Sequence, residues 1–364
     1  MKTLFLLALA TLSTANLIGF DLGSTFFKIT IVQPGSPFSI VENLTSKRKT
    51  DTILAIGSET RLFSSDAVTN AGRFPKTTFQ NVANYLAQDY DDELVKQLRE
   101  QNFVMNEFVR DERGLIAFQT FSIEKKDENV VYYSEEILGM ILKYGKQLAE
   151  KQANGSSVVD CVITVPSYFG LEQRLMLLDA AELAGLKVIQ LVHENVAAAT
   201  MYAIDRLDTE PLTVMLYNMG GQDTEVTIAR YSAIKDDKNK EFEHVEILAE
   251  SFDTSLGGQH FDKVLFDILV DRFNNLPERK GKADVRTNVR AIKRLEKEAI
   301  KIKDVLSANR IAEVKVPELL DYVTLKTMIE RAEFEEKAKH LLDKVGAPAA
   351  QALALAGLSN SDIQ

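Results

Sequence analysis

Cysteine is nearly missing: Cys161 is the only one in 364 residues, so no disulfide can form within the chain and stability must come from a packed core. Cys161 lies inside the apolar run 158–165, the setting of a buried, inert thiol rather than a reactive one. Histidine is scarce too. The four, His193, His244, His260 and His340, are scattered and stand beside no cysteine at metal-ligand spacing, which argues against a zinc site. Basic residues are outnumbered, 43 Lys and Arg against 53 Asp and Glu, giving a net charge of −10 and a pI near 5.2. A surface of that sign repels nucleic acid and anionic lipid, and neither is expected as a partner. The phosphate loop Gly-x-x-x-x-Gly-Lys-Ser/Thr is absent, and no strand leads into Gly-x-Gly-x-x-Gly. The first absence excludes a P-loop enzyme and the second disfavours a dinucleotide fold.

What is present is the composition of an ordinary globular protein, 45% hydrophobic and 26% charged, in a length that accommodates two sizeable lobes. The first residues are patterned as an export signal. Lys2 gives a positive start, residues 4–12 an apolar stretch, and Ser13-Thr14-Ala15 the small residues where a signal peptidase cuts. That stretch is far shorter than the roughly 20 residues of a membrane span. Residues 1–15 are therefore expected to be removed, leaving Asn16 first. In a secretory route, Asn43-Leu44-Thr45 and Asn154-Gly155-Ser156 become glycosylation candidates at Asn43 and Asn154.

The pattern along the chain alternates strands and helices, which indicates an α/β fold. Residues 17–21 and 26–32 are apolar runs around the turn Leu22-Gly23-Ser24-Thr25, a strand, turn and strand. Ser134 with Glu135 and Glu136 predicts an N-capped helix reaching about Lys151. The run 158–165 reads as a strand buried on both faces, followed by a helix over 171–184, a strand at 186–192 and a helix over 196–206. Strands at 212–217 and 225–231 flank the turn Gly220-Gly221. Apolar residues from Val285 to Leu306 recur at helical spacing, predicting an amphipathic helix over 284–306. A second, charged helix is expected over 324–345 and a polar loop at 236–240. The turns at Asp21 and Asn218 share one form: apolar run, Asp or Asn, hydrophobe, Gly, small residue, apolar run. The shared form hints at two related lobes, each giving a turn to a common cleft.

Glycine turns between strands expose backbone N–H groups in a concave arrangement that suits phosphate oxygens. Three occur: Gly23-Ser24-Thr25, Gly220-Gly221 and Gly257-Gly258, the last just before a helix predicted to begin near Phe261. Any one of them alone reads as a plain turn; three together point to phosphate binding. Asp21 stands in the first turn, where a carboxylate can hold Mg²⁺ through its water shell. Glu194 follows the strand at 186–192, and reads either as a second acid at a ligand-binding strand end or as the first residue of a helix.

Several stretches resemble the seventy-kilodalton heat-shock chaperones. Ile18-Gly19-Phe20-Asp21-Leu22-Gly23-Ser24-Thr25 resembles their first phosphate motif, and Val162 to Phe169 with Gln173-Arg174 their inter-lobe segment. Ala184-Gly185-Leu186, His193 to Ala199, and Asp253 to Gly258 with Phe261-Asp262 continue the likeness in order. Val305 to Asn309 and Arg331 to Glu336, with the leader, are most similar to the large glucose-regulated, hypoxia-up-regulated branch of the endoplasmic reticulum.

The resemblance implies an actin-like, two-lobed nucleotide-binding fold of the ribonuclease-H-like class. The first lobe would span 16–207 and the second 208–364. It implies ATP or ADP with Mg²⁺ as ligands. Gly23, Ser24 and Thr25 would meet phosphates from one side and Gly220 and Gly221 from the other. Gly257 and Gly258 would lie near ribose and phosphate, Lys303 and Ser307 on the adenine side, and Asp21 and Glu194 around Mg²⁺ and its waters. The implied role is protein folding under stress in the endoplasmic reticulum lumen, as co-chaperone or nucleotide-exchange factor to a lumenal heat-shock chaperone. The family continues past Asp362-Ile363 with a strand, Gly-Gly-x-x-Arg-x-Pro and closing helices. The second lobe is therefore expected to be C-terminally incomplete, with the peptide-binding domain through which unfolded clients are held also absent.

Three departures bear on activity. The family carries an acid where Asn218 stands, a catalytic lysine where Ala83 aligns, and Gly-Thr where Gln222-Asp223 follow the second turn. An amide brings no charge to Mg²⁺ and takes no proton near neutral pH, a methyl group brings no cation to a transferring phosphoryl, and Asp223 would repel phosphates unless a cation lies between. Weak or absent hydrolysis with nucleotide binding retained is the expectation. Two other readings remain open from sequence: a sugar-type small-molecule kinase on the same fold, and a scaffold that binds no nucleotide.

Overall fold

The computed structural model describes residues 16–57, 60–93, 95–96, 106–121, 129–204, 211–235 and 241–364. Among these, two compact units separate: residues 16–68, 76–96 and 106–197 form the first, and 69–75 and 198–364 the second. The expected export signal and the polar loop at 236–240 lie outside the described residues.

The first unit is built on a sheet of six strands. At its centre β1 (Asn16–Leu22) pairs antiparallel with β2 (Phe26–Val32) and parallel with β3 (Val158–Val165), which pairs parallel with β4 (Lys187–His193). Parallel neighbours need a crossover, and helices α1 (Ser134–Gln152) and α2 (Leu171–Leu183) supply it. β1 alternates buried and half-buried side chains, with Ile18, Phe20 and Leu22 in the core. Cys161 on β3 is fully buried, and burial pushes its thiol up to about 11, so the inert reading of this cysteine holds. Ser134 is the first residue of α1 rather than its cap. Tyr133 takes the capping position, its N–H donating to Glu136 Oε2 at 2.8 Å, while the Ser134 side chain is buried.

The second unit contains an antiparallel meander, β5 (Leu212–Met219), β6 (Thr224–Lys235) and β7 (Glu241–Asp253). Helix α3 (Gly258–Asn274) packs against α4 (Val289–Ala308), and α4 lies on the hairpin of β8 (Ile311–Leu320) and β9 (Val323–Glu330). Helix α5 (Ala347–Ala356) covers Val226 and Ile228 with Ala352 and Leu353. The amphipathic helix expected over 284–306 begins at Val289, because Asn288 caps it by accepting from Ala291 N–H at 3.0 Å, and Val285 sits in a separate short turn.

The charged helix expected over 324–345 is instead a strand to Glu330 followed by short helices from Arg331. Residues 323–330 read Val-Thr-Leu-Lys-Thr-Met-Ile-Glu, and Leu325 and Ile329 are buried on one face. That is a period of two with β-branched residues, and pairing with β8 decides the outcome over the high charge nearby.

Gly145 explains how closely α1 approaches the sheet. A Cβ there would stand 2.5 Å from the Phe20 ring and 3.0 Å from Ile29 Cδ1, both of them core side chains with no room to retreat. Gly145→Ala should cost about 1–3 kcal/mol of stability by overpacking, read as a lower urea midpoint. An unchanged midpoint would contradict the close approach.

Candidate functional site

Each unit carries one of the glycine hairpins. In the first, β1 and β2 close over Gly23 to Thr25, and Gly23 has no alternative residue there because a Cβ would meet the Phe26 carbonyl oxygen at 2.6 Å. Thr52 pins the tip: its Oγ1 donates to Gly23 O at 2.8 Å and its N–H to Thr25 O at 3.0 Å. A trans peptide is planar, so a carbonyl drawn to Thr52 turns the N–H of the next residue, Ser24, the opposite way. The Ser24 hydroxyl reaches Asn84 Oδ1 at 3.4 Å, which brings the turn 82–85 to this hairpin. Ala83 lies in that turn, buried, and offers a methyl group.

Asp21 stands beside the tip with both carboxylate oxygens occupied. Lys28 Nζ donates to Oδ2 at 2.5 Å, and Thr164 Oγ1 on β3 donates to Oδ1 at 3.3 Å. Neither Lys28 nor Thr164 was singled out in the sequence. Lys28 could have been found by counting: strands that close with Leu22 opposite Phe27 place Asp21 directly opposite Lys28. Glu194 is the first residue of the helix Glu194–Ala203, just after β4. That position places it among helix-starting acids as well as at a strand end. Next to it, His193 shares a 2.9 Å hydrogen bond with Arg174.

In the second unit β5 and β6 close over Gly220 to Asp223. Here helix α3 does the pinning. Gly258 N–H donates to Gly220 O at 2.9 Å and Gln259 N–H to Gly221 O at 2.8 Å. The sequence offered the start of this helix to phosphate, but these two donors are spent on the hairpin. By the same peptide planarity, the N–H groups of Gly221 and Gln222 turn away from the helix. Thr224 Oγ1, buried, donates to Leu256 O at 2.7 Å and fixes the base of the loop. Gly257 is needed for space. Its φ of −164° suits any residue, but a Cβ would stand 2.5 Å from the Gln222 carbonyl carbon and 2.7 Å from Asp223 N. Asp223 keeps its carboxylate beside Gly220, 3.1 Å from where a Cβ would be.

Lys303 on α4 donates to Gly258 O at 3.0 Å and pairs with Asp262 at 2.8 Å. Burial pushes the Asp262 carboxyl above its ordinary range, against the opposing pull of Lys303. Ser307 turns its hydroxyl to Asp304 O of its own helix, at 2.6 Å. Asn218, one residue before the end of β5, lies opposite Glu225. Of the two sequons, Asn43 is buried with its amide nitrogen donating to Lys49 O at 3.2 Å, while Asn154 is exposed in the turn that ends α1.

The Mg²⁺ that the resemblance implies finds a poor donor set. Asp21 is held by an ammonium group and a hydroxyl, and no group of three or more His, Cys, Asp or Glu is gathered for a metal among the described residues. Carboxylates that carry Mg²⁺ normally do so with lone pairs turned to its water shell.

The seat of the second hairpin on α3 is testable. Gly257→Ala should free the amides of Gly258 and Gln259, raising their hydrogen exchange at least about tenfold as those bonds open. Unchanged protection there would mean that the backbones are not in contact.

A family profile described as Hsp70 protein matches residues 17–364. Hypoxia up-regulated protein 1 from Xenopus laevis is 37% identical over 365 residues, covering 99% of this chain and 55% of its own length. The Homo sapiens protein of that name is 36% identical over 362 residues, 98% of this chain and 35% of its own, and that of Danio rerio 36% over 348 residues, 94% and 34%. The chain thus spans between about a third and just over half the length of these relatives. No helix among the described residues is long and apolar enough to cross a membrane. Domains of this kind generally bind ATP or ADP with Mg²⁺ on an actin-like two-lobed α/β fold, the class expected from sequence. With its two units, its two glycine hairpins and a match along nearly all its length, the chain belongs to the Hsp70 family of chaperones.

Proposed function

We propose that this chain is the nucleotide-binding part of a stress chaperone of the endoplasmic reticulum lumen, holding ATP or ADP as a conformational clamp and hydrolysing it slowly or not at all. The observation that carries this is shared by the two hairpins: their carbonyls are tied back, by Thr52 in one and by α3 in the other, which turns Ser24, Gly221 and Gln222 N–H outward. Backbone donors fixed in this way meet phosphate oxygens without rearranging. Gly23, Ser24, Thr25, Gly220 and Gly221 are the proposed phosphate contacts. Gly257 and Gly258 support the second hairpin from behind, and Lys303 and Ser307 are assigned to the nucleoside side, with Lys303 oriented by Asp262. Glu194 is assigned to ordering water near the phosphates.

The weak hydrolysis rests on residue chemistry. Asn218 accepts hydrogen bonds but takes no proton, and Ala83 offers no positive charge at the turn beside Ser24. Loss of one such electrostatic group typically costs about 10²- to 10³-fold in rate, and the losses do not multiply. The lumenal location is supported by the leader pattern of residues 1–15, and the stress role by the name of the relatives. A domain that closes on nucleotide without consuming it is suited to act on a lumenal heat-shock chaperone as a nucleotide-exchange factor.

Titration calorimetry of the full chain should give saturable binding of both ATP and ADP. Its turnover should lie at least about 100-fold below that of a family member carrying both the acid and the lysine. Asn218→Asp should raise that turnover measurably. Absence of binding would contradict the nucleotide reading, and a wild-type rate equal to that of the complete site would contradict the hydrolysis reading.

A further inference from the structure

We propose that Lys28 replaces a divalent cation as the counter-charge of Asp21, so that this chain holds ATP or ADP without needing Mg²⁺. The inference rests on the nucleotide reading above and concerns what neutralises the phosphate side of that site.

The pairing is built into the hairpin. β1 and β2 stay in one register from Leu17 opposite Val32 to Leu22 opposite Phe27, and Asp21 faces Lys28 within it. Directly opposed side chains in an antiparallel pair start about 4.5–5.5 Å apart at Cβ, within easy reach of a lysine. Moving the backbone of Lys28 away from Asp21 would require a register slip, which would carry Phe27 and Ile29 out of the core. From that position the ammonium reaches Oδ2 at 2.5 Å, and Thr164 takes Oδ1 at 3.3 Å. Both ends of the carboxylate are served by the chain itself.

A second observation points the same way. Asp21 and Lys28 line a cleft of about 880 Å³ in the first unit, together with Lys47, Arg48, Lys49 and Glu42. Four cationic side chains face two carboxylates there. Such a surplus makes the cleft beside Asp21 a cationic environment, which suits an anion more than a second cation. A hydrated Mg²⁺ arriving on the nucleotide would have to compete with the Lys28 ammonium for Asp21.

The test is titration of the full 364-residue chain with ADP in EDTA and again in excess Mg²⁺. The wild type should bind with affinities within about threefold of each other. Lys28→Gln should lose about tenfold in EDTA, the scale of one charge-assisted hydrogen bond, and recover when Mg²⁺ is added. Lys28→Arg should behave as wild type. Lys28 is half exposed, and equal melting curves will show that the variants are folded. A wild-type affinity that collapses in EDTA, or a Lys28→Gln variant with the wild-type ratio of the two affinities, overturns the inference while leaving the nucleotide reading intact. Absence of ADP binding in both buffers overturns both.

Discussion

A peptide plane cannot turn its carbonyl without turning the neighbouring N–H, and the glycine hairpin of each unit depends on that constraint. Thr52 takes the carbonyls of Gly23 and Thr25, and the start of α3 takes those of Gly220 and Gly221. The glycines are there for approach rather than for flexibility. Gly23 lets the Phe26 carbonyl come within 2.6 Å of where a Cβ would be, and Gly257 lets the Gln222 backbone come within 2.5 Å. The rest of each unit serves to hold these backbones still. Parallel strands β3 and β4 brace β1, and the α3–α4 pair braces the second hairpin.

The slow hydrolysis proposed above rests on the side chains at and near the two hairpins. Lys28 sits on Asp21, an amide stands at 218, a buried methyl at 83 and a carboxylate, Asp223, beside Gly220. Each change keeps a shape that backbone donors define while altering the groups that would polarise a phosphoryl transfer. Binding and hydrolysis draw on different atoms of such a site, so one can persist while the other fades. A chaperone domain that uses nucleotide to set its conformation needs only the first.

Much of this was legible in the sequence, for physical reasons that differ from place to place. The strands at 26–32 and 158–165 and the turns at Gly23 and Gly220 follow from apolar runs punctuated by glycine, signals that tertiary context rarely overturns. The stretch 323–330 misled because its lysine and glutamate, with the charged residues that follow, resemble a solvated helix, whereas the alternation of Leu325 and Ile329 with more exposed neighbours pairs it to β8. The Gly257-Gly258 turn was legible as a helix start but not as a support. Which acceptor takes an N–H is decided by a hairpin 35 or more residues earlier in the chain, and periodicity carries no trace of that. Lys28 went unnoticed because its meaning lies across the strand from it rather than along the chain.

Hydrogen exchange read by mass spectrometry, with and without saturating ADP, tests the central claim most directly. Outward N–H groups that grip phosphate must become protected together, at residues 23–26 and at 220–224. The account predicts slowed exchange in both segments at the same ADP concentration. Saturable ADP binding that leaves either segment unchanged would contradict it.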